Sequence, residues 1–371
     1  MADGSAESRP QSLDLKALSN ALQDAGQPWE MAYTSITSLE EGERRIRLGV
    51  PPRPELEETS EVAAAAAIAA KAESIGAPVA FDVRNVSGVS YDTAVKDQGG
   101  CGSCVAFGTA AATEVVFRYS RRTTMPLDLS EAHLFYVYAR SEGQTCATGW
   151  WPDHALTHAK ATGVTFENYY PYTAGDQDGN SKINPDWPNR LAKVTDWANI
   201  SGNALQMKED ISRYGAVTAC FNVFQDFFSY RTGVYRHVTG SLAGGHCVVI
   251  IGYDDAQSCW IARNSWGLGW GDAGYFRIGY GQCGIESYQT CAVRGVNLEA
   301  WLDNQLVTGL WSNEYDANIW AYGAQRGWLK LDSTSPVTSH AMMSELAAAK
   351  ALGRPVGLLE GNGSVKQIYA W

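Results

Sequence analysis

The stretch from Val95 to Phe117, VKDQGGCGSCVAFGTAAATEVVF, constrains the fold of this 371-residue chain more than any other. Its glycines predict tight turns, and the small and apolar residues after them predict a long helix that begins at or just after Cys104. The first N–H groups of a helix have no partner within it, so these groups and the helix dipole face the Cys104 sulfur. Such a position favours a thiolate.

Cys101 and Cys104 are open to three interpretations: a redox or metal pair, a disulfide with a spare thiol, or one structural and one reactive cysteine. The chain has eight cysteines, which are too few for a disulfide scaffold. No second CxxC motif follows, and histidines do not cluster near this pair. We therefore expect no metal site, and nothing in the sequence calls for a cofactor.

Charge and hydropathy exclude two further classes of protein. A net charge of −11 argues against a nucleic-acid partner, because the phosphate backbone selects basic surfaces. The sequence contains no apolar run long enough for a transmembrane helix, so no membrane partner is expected. No signal peptide is visible at the N-terminus, which leaves the cellular compartment open.

The chain divides into three regions by composition. Residues 1–77 predict a helical appendage with an extended tether, including a helix over Ser12 to Ala25 that ends at Gly26. Residues 78–295 are helical in their first half and strand-like in their second, which indicates an α+β fold with two lobes.

Residues 296–371 form a smaller α+β unit, for which the pattern predicts three strands, a helix and two strands. This unit is rich in tryptophan, and we expect these rings to pack in its core rather than form a ligand platform. The tryptophans are Trp301, Trp311, Trp320, Trp328 and Trp371.

A partner for the Cys104 thiol is expected among the six histidines. His246 differs from the others because it begins a continuous apolar strand, in AGGHCVVIIGYDD, and two glycines before it open the backbone to a ligand. Asn264 follows 18 residues later (264 − 246), and an amide can orient an imidazole ring without becoming charged itself. The gap of 142 residues (246 − 104) from Cys104 to His246 lies within the range of papain-type sites.

The motifs VKDQGGCGSC, GGHCVVIIGYD and ARNSWGLGWGDAGYFRI occur in this order and together resemble the papain-like cysteine peptidases of the C1 type. The resemblance covers residues 78–295 and implies a helical left lobe, a β-barrel right lobe and a cleft between them. It implies that Cys104 is the nucleophile, His246 the general base and acid, and Asn264 the residue that orients the ring. Gln98 would donate to the oxyanion, and Trp266 would shield the Asn264–His246 hydrogen bond from water.

The same resemblance implies a disulfide between Cys101 and Cys146, and leaves open whether Cys283 pairs with Cys291. It also implies a substrate-binding set with an apolar or aromatic preference: Gly149, Trp150, Val223, Gly245, Cys247, Trp266 and Tyr288. One departure from the family pattern is Val105, which replaces the aromatic residue that normally follows the nucleophile. We expect this change to alter specificity, since it removes no catalytic group.

These observations favour a cysteine endopeptidase that acts on peptide or protein substrates and is made as a zymogen, with residues 1–77 as an inhibitory pro-segment. A transpeptidase or peptide ligase would use the same thioester intermediate. A binding protein with a papain-like scaffold is the alternative from another class. No motif chooses whether residues 296–371 dock a substrate, bind a glycan or partner, or cover the cleft.

Overall fold

The structure, a computed structural model, describes residues 14–51, 77–178, 181–315, 318–324, 327–331, 335–361 and 364–370. The described residues form an α+β fold, with helices concentrated between residues 104 and 161 and strands from residue 191 onward. Residues 52–76, which include most of the expected tether, lie outside the described part.

The N-terminal region packs on the strand-rich half of the protein. Helix α1 (Leu15–Asp24) is capped by the Asp14 carboxylate and buries Leu18 and Leu22, which confirms the helix expected there. Strand β1 (Trp29–Met31) follows and adds to the edge of the sheet, and the short helix α2 (Glu41–Arg45) leads toward the interface between the two halves.

The helix-rich half surrounds one long buried helix. The helical elements are α3 (Cys104–Ser120), a π-helical segment (His133–Ala139) and α4 (Pro152–Ala161). Helix α3 is apolar around most of its circumference and is buried in the same way, as such a helix must be. None of the described helices is both long and apolar enough to cross a membrane.

The strand-rich half is a mostly antiparallel sheet whose central strand carries His246. Its elements are β2 (Ala80–Asp82), β3 (Val164–Thr165), β4 (Leu191–Asn199), helix α5 (Ala204–Tyr214), β5 (Val217–Phe224), β6 (Tyr230–Tyr235), β7 (Leu242–Asp254), β8 (Cys259–Arg263), β9 (Tyr275–Gly279) and β10 (Gln289–Gln305). The strands follow the order β1-β6-β9-β8-β7-β5-β10. Strand β7 is buried over most of its length because its sequence is almost continuously apolar.

The C-terminal unit continues the same sheet. Strand β10 pairs with β4 and β5 in its first part and with β14 near its end, so it crosses the boundary at residue 296 without interruption. The elements that follow are β11 (Val307–Ser312), β12 (Ile319–Gly323), β13 (Gly327–Leu331), α6 (Pro336–Leu352), β14 (Val356–Gly361) and β15 (Ser364–Ala370). These are the three strands, helix and two strands that the pattern predicts.

The core of the C-terminal unit is aliphatic. Helix α6 contributes Leu346, which packs with residues such as Leu329 and Val356. The tryptophans lie elsewhere: Trp311 is 46% exposed and Trp328 is 50% exposed. The expectation that these rings pack in the core is therefore wrong for both residues, because each lies on the face of the strands that helix α6 does not cover.

A buried ion pair fixes the end of strand β8, directly before Asn264. The Arg263 guanidinium donates to Asp92 Oδ1 at 2.7 Å, and both side chains are almost completely buried. The Tyr275 hydroxyl donates to the other carboxylate oxygen at 3.0 Å. Because each charge is removed from water, neither can lose its partner without a large cost.

We predict that Asp92→Asn lowers the free energy of unfolding by about 3–5 kcal/mol, since it leaves the Arg263 charge buried without its counter-ion. Urea unfolding in a Cys104→Ala background, which prevents self-cleavage, measures this value. Asp196→Asn is the matched control, because Asp196 forms an exposed 3.8 Å pair with Lys160. The control is expected to change stability by less than about 0.5 kcal/mol, and equal effects for the two variants would contradict the prediction.

Candidate active site

Cys104 lies at the first position of helix α3 and is completely buried. The turn before it is held by the disulfide Cys101–Cys146, which is the pairing that the family resemblance implies. A backbone hydrogen bond of 2.9 Å from Gly102 to the Cys146 carbonyl fixes the same turn. Cys104 is not part of a disulfide, and neither Cys283 nor Cys291 forms one. The two sulfurs of the CxxC motif therefore have separate roles.

Close packing between helix α3 and strand β7 brings Cys104 to the histidine strand. Gly108 lies one turn after Cys104 in the same helix. A Cβ atom at Gly108 would lie only 3.1 Å from the Cys247 sulfur and 3.4 Å from the Val248 carbonyl oxygen. The Cys104 sulfur is consequently near the backbone N–H of Cys247, the residue that follows His246.

The pairing of β7 with β8 brings His246 and Asn264 together. Asn264 directly follows β8, whose last residue, Arg263, is paired with Val249 of β7. The His246 Nε2 atom and Asn264 Oδ1 are 2.8 Å apart, and both residues are buried. The Trp266 ring lies against the imidazole with a centroid distance of 4.7 Å, so it covers this hydrogen bond from solvent.

Gln98 is held so that its side-chain amide points toward the same site. Its Nε2 atom donates to the Cys101 carbonyl at 2.8 Å, while its Oε1 atom accepts from the Ser265 hydroxyl at 2.6 Å. The backbone N–H of Gln98 donates to the Ser265 carbonyl at 2.9 Å. These contacts fix the direction of the amide donors and connect Gln98 to the residue after Asn264.

Residues 47–50 of the N-terminal region fill the space between these groups. The Arg47 carbonyl accepts from Gln98 Nε2 at 2.9 Å. The Gly49 carbonyl accepts from the Trp150 backbone N–H at 2.9 Å. Val50 pairs in antiparallel fashion with Gly245, through two backbone hydrogen bonds of 3.2 Å each. We call residues 47–50 the cleft segment.

The cleft segment fits only because glycine occupies position 49. A Cβ atom at Gly49 would lie 2.0 Å from the Gly102 carbonyl oxygen. A Cβ atom at Gly149 would lie 1.9 Å from the Gly49 carbonyl oxygen. Both distances are far below a van der Waals contact, so the backbones meet directly on both sides of Gly49.

Burial by the cleft segment keeps the thiol and the imidazole uncharged. Burial raises the pKa of Cys104 to about 12, and the neighbouring Cys247 raises it further, while backbone groups such as the Gly49 N–H oppose this change. Burial lowers the pKa of His246 to about 4, although its hydrogen bond to Asn264 acts in the opposite direction. In this closed form at neutral pH, Cys104 is therefore a thiol and His246 a neutral imidazole.

The expected substrate-binding residues lie around the cleft segment or in the adjoining strands. A Cβ atom at Gly245 would lie 2.6 Å from both the Tyr288 hydroxyl and the Val50 carbonyl oxygen, so these three residues meet at one point. Val223 and Cys247 belong to the paired strands β5 and β7. Trp150 differs from the expectation, because its ring is buried with Nε1 donating to Glu142, and only its backbone N–H contacts the segment.

The sequence analysis did not find two contributors to this site. One is Ser265, whose hydroxyl orients the Gln98 amide; its position directly after Asn264 was the available signal. The other is Tyr172, whose hydroxyl donates to the Gln98 carbonyl at 2.8 Å and lies 2.7 Å from the Ser103 hydroxyl. No local pattern marks Tyr172, since it is 74 residues from Gln98 in the chain.

Two lobes that meet at a buried thiol, a histidine–asparagine pair and a glutamine amide define the class of papain-like cysteine peptidases. The comparison with known families agrees. Residues 77–293 match the family described as papain family cysteine protease, which is more than half of the chain. This protein belongs to the papain family.

Similar proteins and solved structures support the same assignment. The chain is 34% identical to cathepsin B-like CP2 of Giardia intestinalis over 210 residues, which are 52% of this chain and 66% of that protein. It is 33% identical to cathepsin B-like CP3 of the same organism over 57% of this chain and 72% of that protein. The match thus spans about two thirds of each relative.

Two solved structures share the fold at lower sequence identity. The first, proCathepsin B S9 from Trypanosoma congolense, has a TM-score of 0.60 and 22% identity, over 76% of this chain and 98% of that one. The recombinant stem bromelain precursor has a TM-score of 0.55 and 23% identity, over 75% of this chain and 87% of that one.

We predict that Gly49→Ala displaces the cleft segment, because its methyl group would overlap the Gly102 carbonyl. Alkylation of Cys104 by iodoacetamide, followed by mass spectrometry of the intact chain, is expected to become at least about tenfold faster, since a tenfold change needs only about 1.4 kcal/mol. Gly42→Ala is the matched control, as a Cβ atom there meets nothing within 4 Å. Equal labelling rates for the two variants would refute the steric account.

The pH dependence of the thiolate gives a second test of the closed form. A thiol whose pKa is raised stays protonated below that pKa, so Cys104 in the intact chain should contribute no thiolate absorbance near 240 nm between pH 5 and 9. In Gly49→Ala the sulfur regains water, its pKa falls, and the thiolate should appear near neutral pH. The Cys104→Ala spectrum is subtracted in each case. Identical titration curves for wild type and Gly49→Ala would show that the segment does not control the thiol.

Proposed function

We propose that this protein is a cysteine peptidase that hydrolyses peptide bonds through a thioester on Cys104. The observation that carries the proposal is the convergence of four groups from distant parts of the chain. The Cys104 thiol lies at a helix start, His246 is hydrogen-bonded to Asn264, and the Gln98 amide is fixed toward the same space. A papain-like scaffold that only binds a ligand has no need of all four.

The proposed reaction begins when the cleft is open. The Cys104 thiol transfers its proton to His246, and the thiolate attacks the carbonyl carbon of the substrate. The resulting oxyanion accepts hydrogen bonds from Gln98 Nε2 and from the Cys104 backbone N–H, donors of a kind that lowers barriers by about 3–4 kcal/mol each. The imidazolium then protonates the leaving amine. Water, deprotonated by His246, hydrolyses the thioester and restores the thiol.

Asn264 acts in this scheme by holding the imidazole ring. Its Oδ1 atom accepts from His246 Nε2–H, which leaves Nδ1 as the nitrogen that exchanges protons with the sulfur. Nδ1 makes no hydrogen bond of normal geometry in the closed form, and this fits a group that is kept for the reaction. Trp266 supports the arrangement by keeping water from the Asn264–His246 hydrogen bond.

We infer that residues 1–77 are the inhibitory pro-segment of a zymogen and that the cleft segment is its blocking part. The Arg47 carbonyl already occupies the Gln98 donor that an oxyanion would need. The Cys104 sulfur faces the Gly49 N–H rather than a carbonyl carbon, so the segment offers the nucleophile nothing to attack. The segment therefore uses the binding groups of the site without being a substrate.

The cleft segment also supports the expected preference for an apolar side chain in the substrate. A Cβ atom at Gly244 would lie 2.9 Å from a methyl carbon of Leu48, which shows that Leu48 packs directly on this glycine. Leu48 belongs to the partly buried hydrophobic residues around the core of the strand-rich half. An extended substrate would place an apolar side chain on the same surface. No contact among the described residues favours transpeptidation over hydrolysis.

Removal of residues 1–77 is expected to raise turnover of a fluorogenic peptide by about tenfold or more, since an occluded fraction of the enzyme becomes competent. Cys104→Ala in the shortened chain should abolish turnover, which separates this activity from contaminating proteases. Gly49→Ala in the full chain provides a control in which nothing is deleted. Equal turnover before and after removal would contradict the inhibitory role, whereas no turnover in any form would contradict the peptidase assignment.

We also propose that residues 296–371 form an accessory unit with a ligand of its own. Two observations support this proposal: the unit has a separate aliphatic core, and its exposed aromatic residues lie on strands β11 to β13, which contribute no residue to the site described above.

A further inference from the structure

The solvent-facing side of strands β11, β12 and β13 carries aromatic residues where an ordinary sheet is polar. Trp311 is paired with Trp320, and Trp320 with Lys330, in one row across the three strands. Tyr322 is paired with Trp328 in the adjacent row. The intervening residues on each strand point to the opposite side and form the core with helix α6. Antiparallel sheets normally present polar side chains to water, so this face needs an explanation.

The aromatic side chains form an organised depression rather than a loose patch. Trp311, Asn318, Trp320 and Trp328 line an open depression of about 560 Å³. Trp320 Nε1 donates to Asn318 Oδ1 at 2.8 Å, and Asn318 Nδ2 donates to Asn313 Oδ1 at 3.0 Å, which fixes the orientation of the central ring. We call this depression the tryptophan site.

Gly309 leaves room for one wall of the tryptophan site. A Cβ atom at Gly309 would lie 2.9 Å from Tyr322 Cβ and 3.3 Å from the Trp328 ring. The Trp328 ring therefore lies directly over the backbone of β11, and it meets Tyr322 edge to face with a centroid distance of 5.4 Å. The rings are held in place without being buried, a state that costs apolar exposure and offers aromatic faces to a ligand.

The chemistry of this face selects an uncharged ligand with polar edges. The aromatic faces are negative and attract polarised C–H groups. The indole N–H groups of Trp311 and Trp328 have no hydrogen-bond partner among the described residues, so they remain available to oxygen acceptors. The exposed Lys330 lies on the same face, opposite Trp320, and its positive charge opposes a cationic ligand.

We propose that the tryptophan site binds a neutral glycan, with pyranose rings stacked on Trp311, Trp320 and Trp328. A pyranose presents a face of C–H groups to an aromatic ring and presents hydroxyl oxygens at its edge to N–H donors. This inference rests on the proposed accessory role of residues 296–371 and is independent of the peptidase chemistry. Binding would hold the enzyme on glycan-bearing material while its cleft stays free for peptide.

Isothermal titration of the full-length Cys104→Ala protein tests the proposal without self-cleavage. The probes are cellohexaose, chitohexaose, xylohexaose and maltohexaose, which are all neutral pyranose oligomers. At least one is expected to bind, and Trp328→Ala and Trp311→Ala should each weaken that binding by about tenfold or more, as is common for central aromatic contacts. Tyr33→Ala is the matched control, because Tyr33 is an aromatic residue that is 71% exposed in the N-terminal region.

The remaining outcomes are decisive as well. Retention of affinity in Trp328→Phe, which keeps an aromatic face, would support stacking, and unchanged thermal unfolding of the alanine variants would exclude loss of the fold. Absence of binding to all four oligomers would overturn the proposal. Binding of a proline-rich peptide or of tetramethylammonium in their place would also overturn it. Cleavage of a soluble peptide by the otherwise native chain is measured separately, so a failed glycan test leaves the peptidase assignment unaffected.

Discussion

The packing of helix α3 on strand β7 is the contact on which the rest of the site depends. Cys104 and His246 belong to different halves of the protein, and only the absence of a side chain at Gly108 lets the helix approach the strand so closely. Once β7 is fixed, its pairing with β8 places Asn264 beside His246, and the buried Asp92–Arg263 pair holds the end of β8. The geometry of the catalytic groups is therefore a consequence of how the two halves meet.

The closed form uses the same groups for inhibition that the open form would use for catalysis. Gln98 donates to the Arg47 carbonyl in place of an oxyanion, and Gly245 pairs with Val50 where an extended substrate would pair. Exclusion of water by the cleft segment raises the pKa of Cys104 and lowers that of His246, so the reactive pair is uncharged. Steric occlusion and loss of nucleophilicity thus have one physical origin.

The C-terminal unit shows where reasoning from sequence reaches its limit. The tryptophan-rich pattern is compatible with a core or with a surface, because residues that alternate along a strand point to opposite sides. In β12, Ile319 and Ala321 alternate with Trp320 and Tyr322, and either pair could face inward. Helix α6 covers the aliphatic side, and this choice depends on contacts between segments that are distant in the chain. The expectation of a tryptophan core is wrong for that reason.

The sequence by itself determined the local features of this protein: the helix that begins at Cys104, the apolar strand that carries His246, and the order and spacing of the motifs that place the chain in the papain family. It also indicated the Cys101–Cys146 bond through that resemblance. Only the tertiary structure decided that residues 47–50 lie in the cleft and that Ser265 and Tyr172 hold Gln98. Propensity and periodicity act over a few residues, whereas these contacts arise from close packing of backbones far apart in the chain.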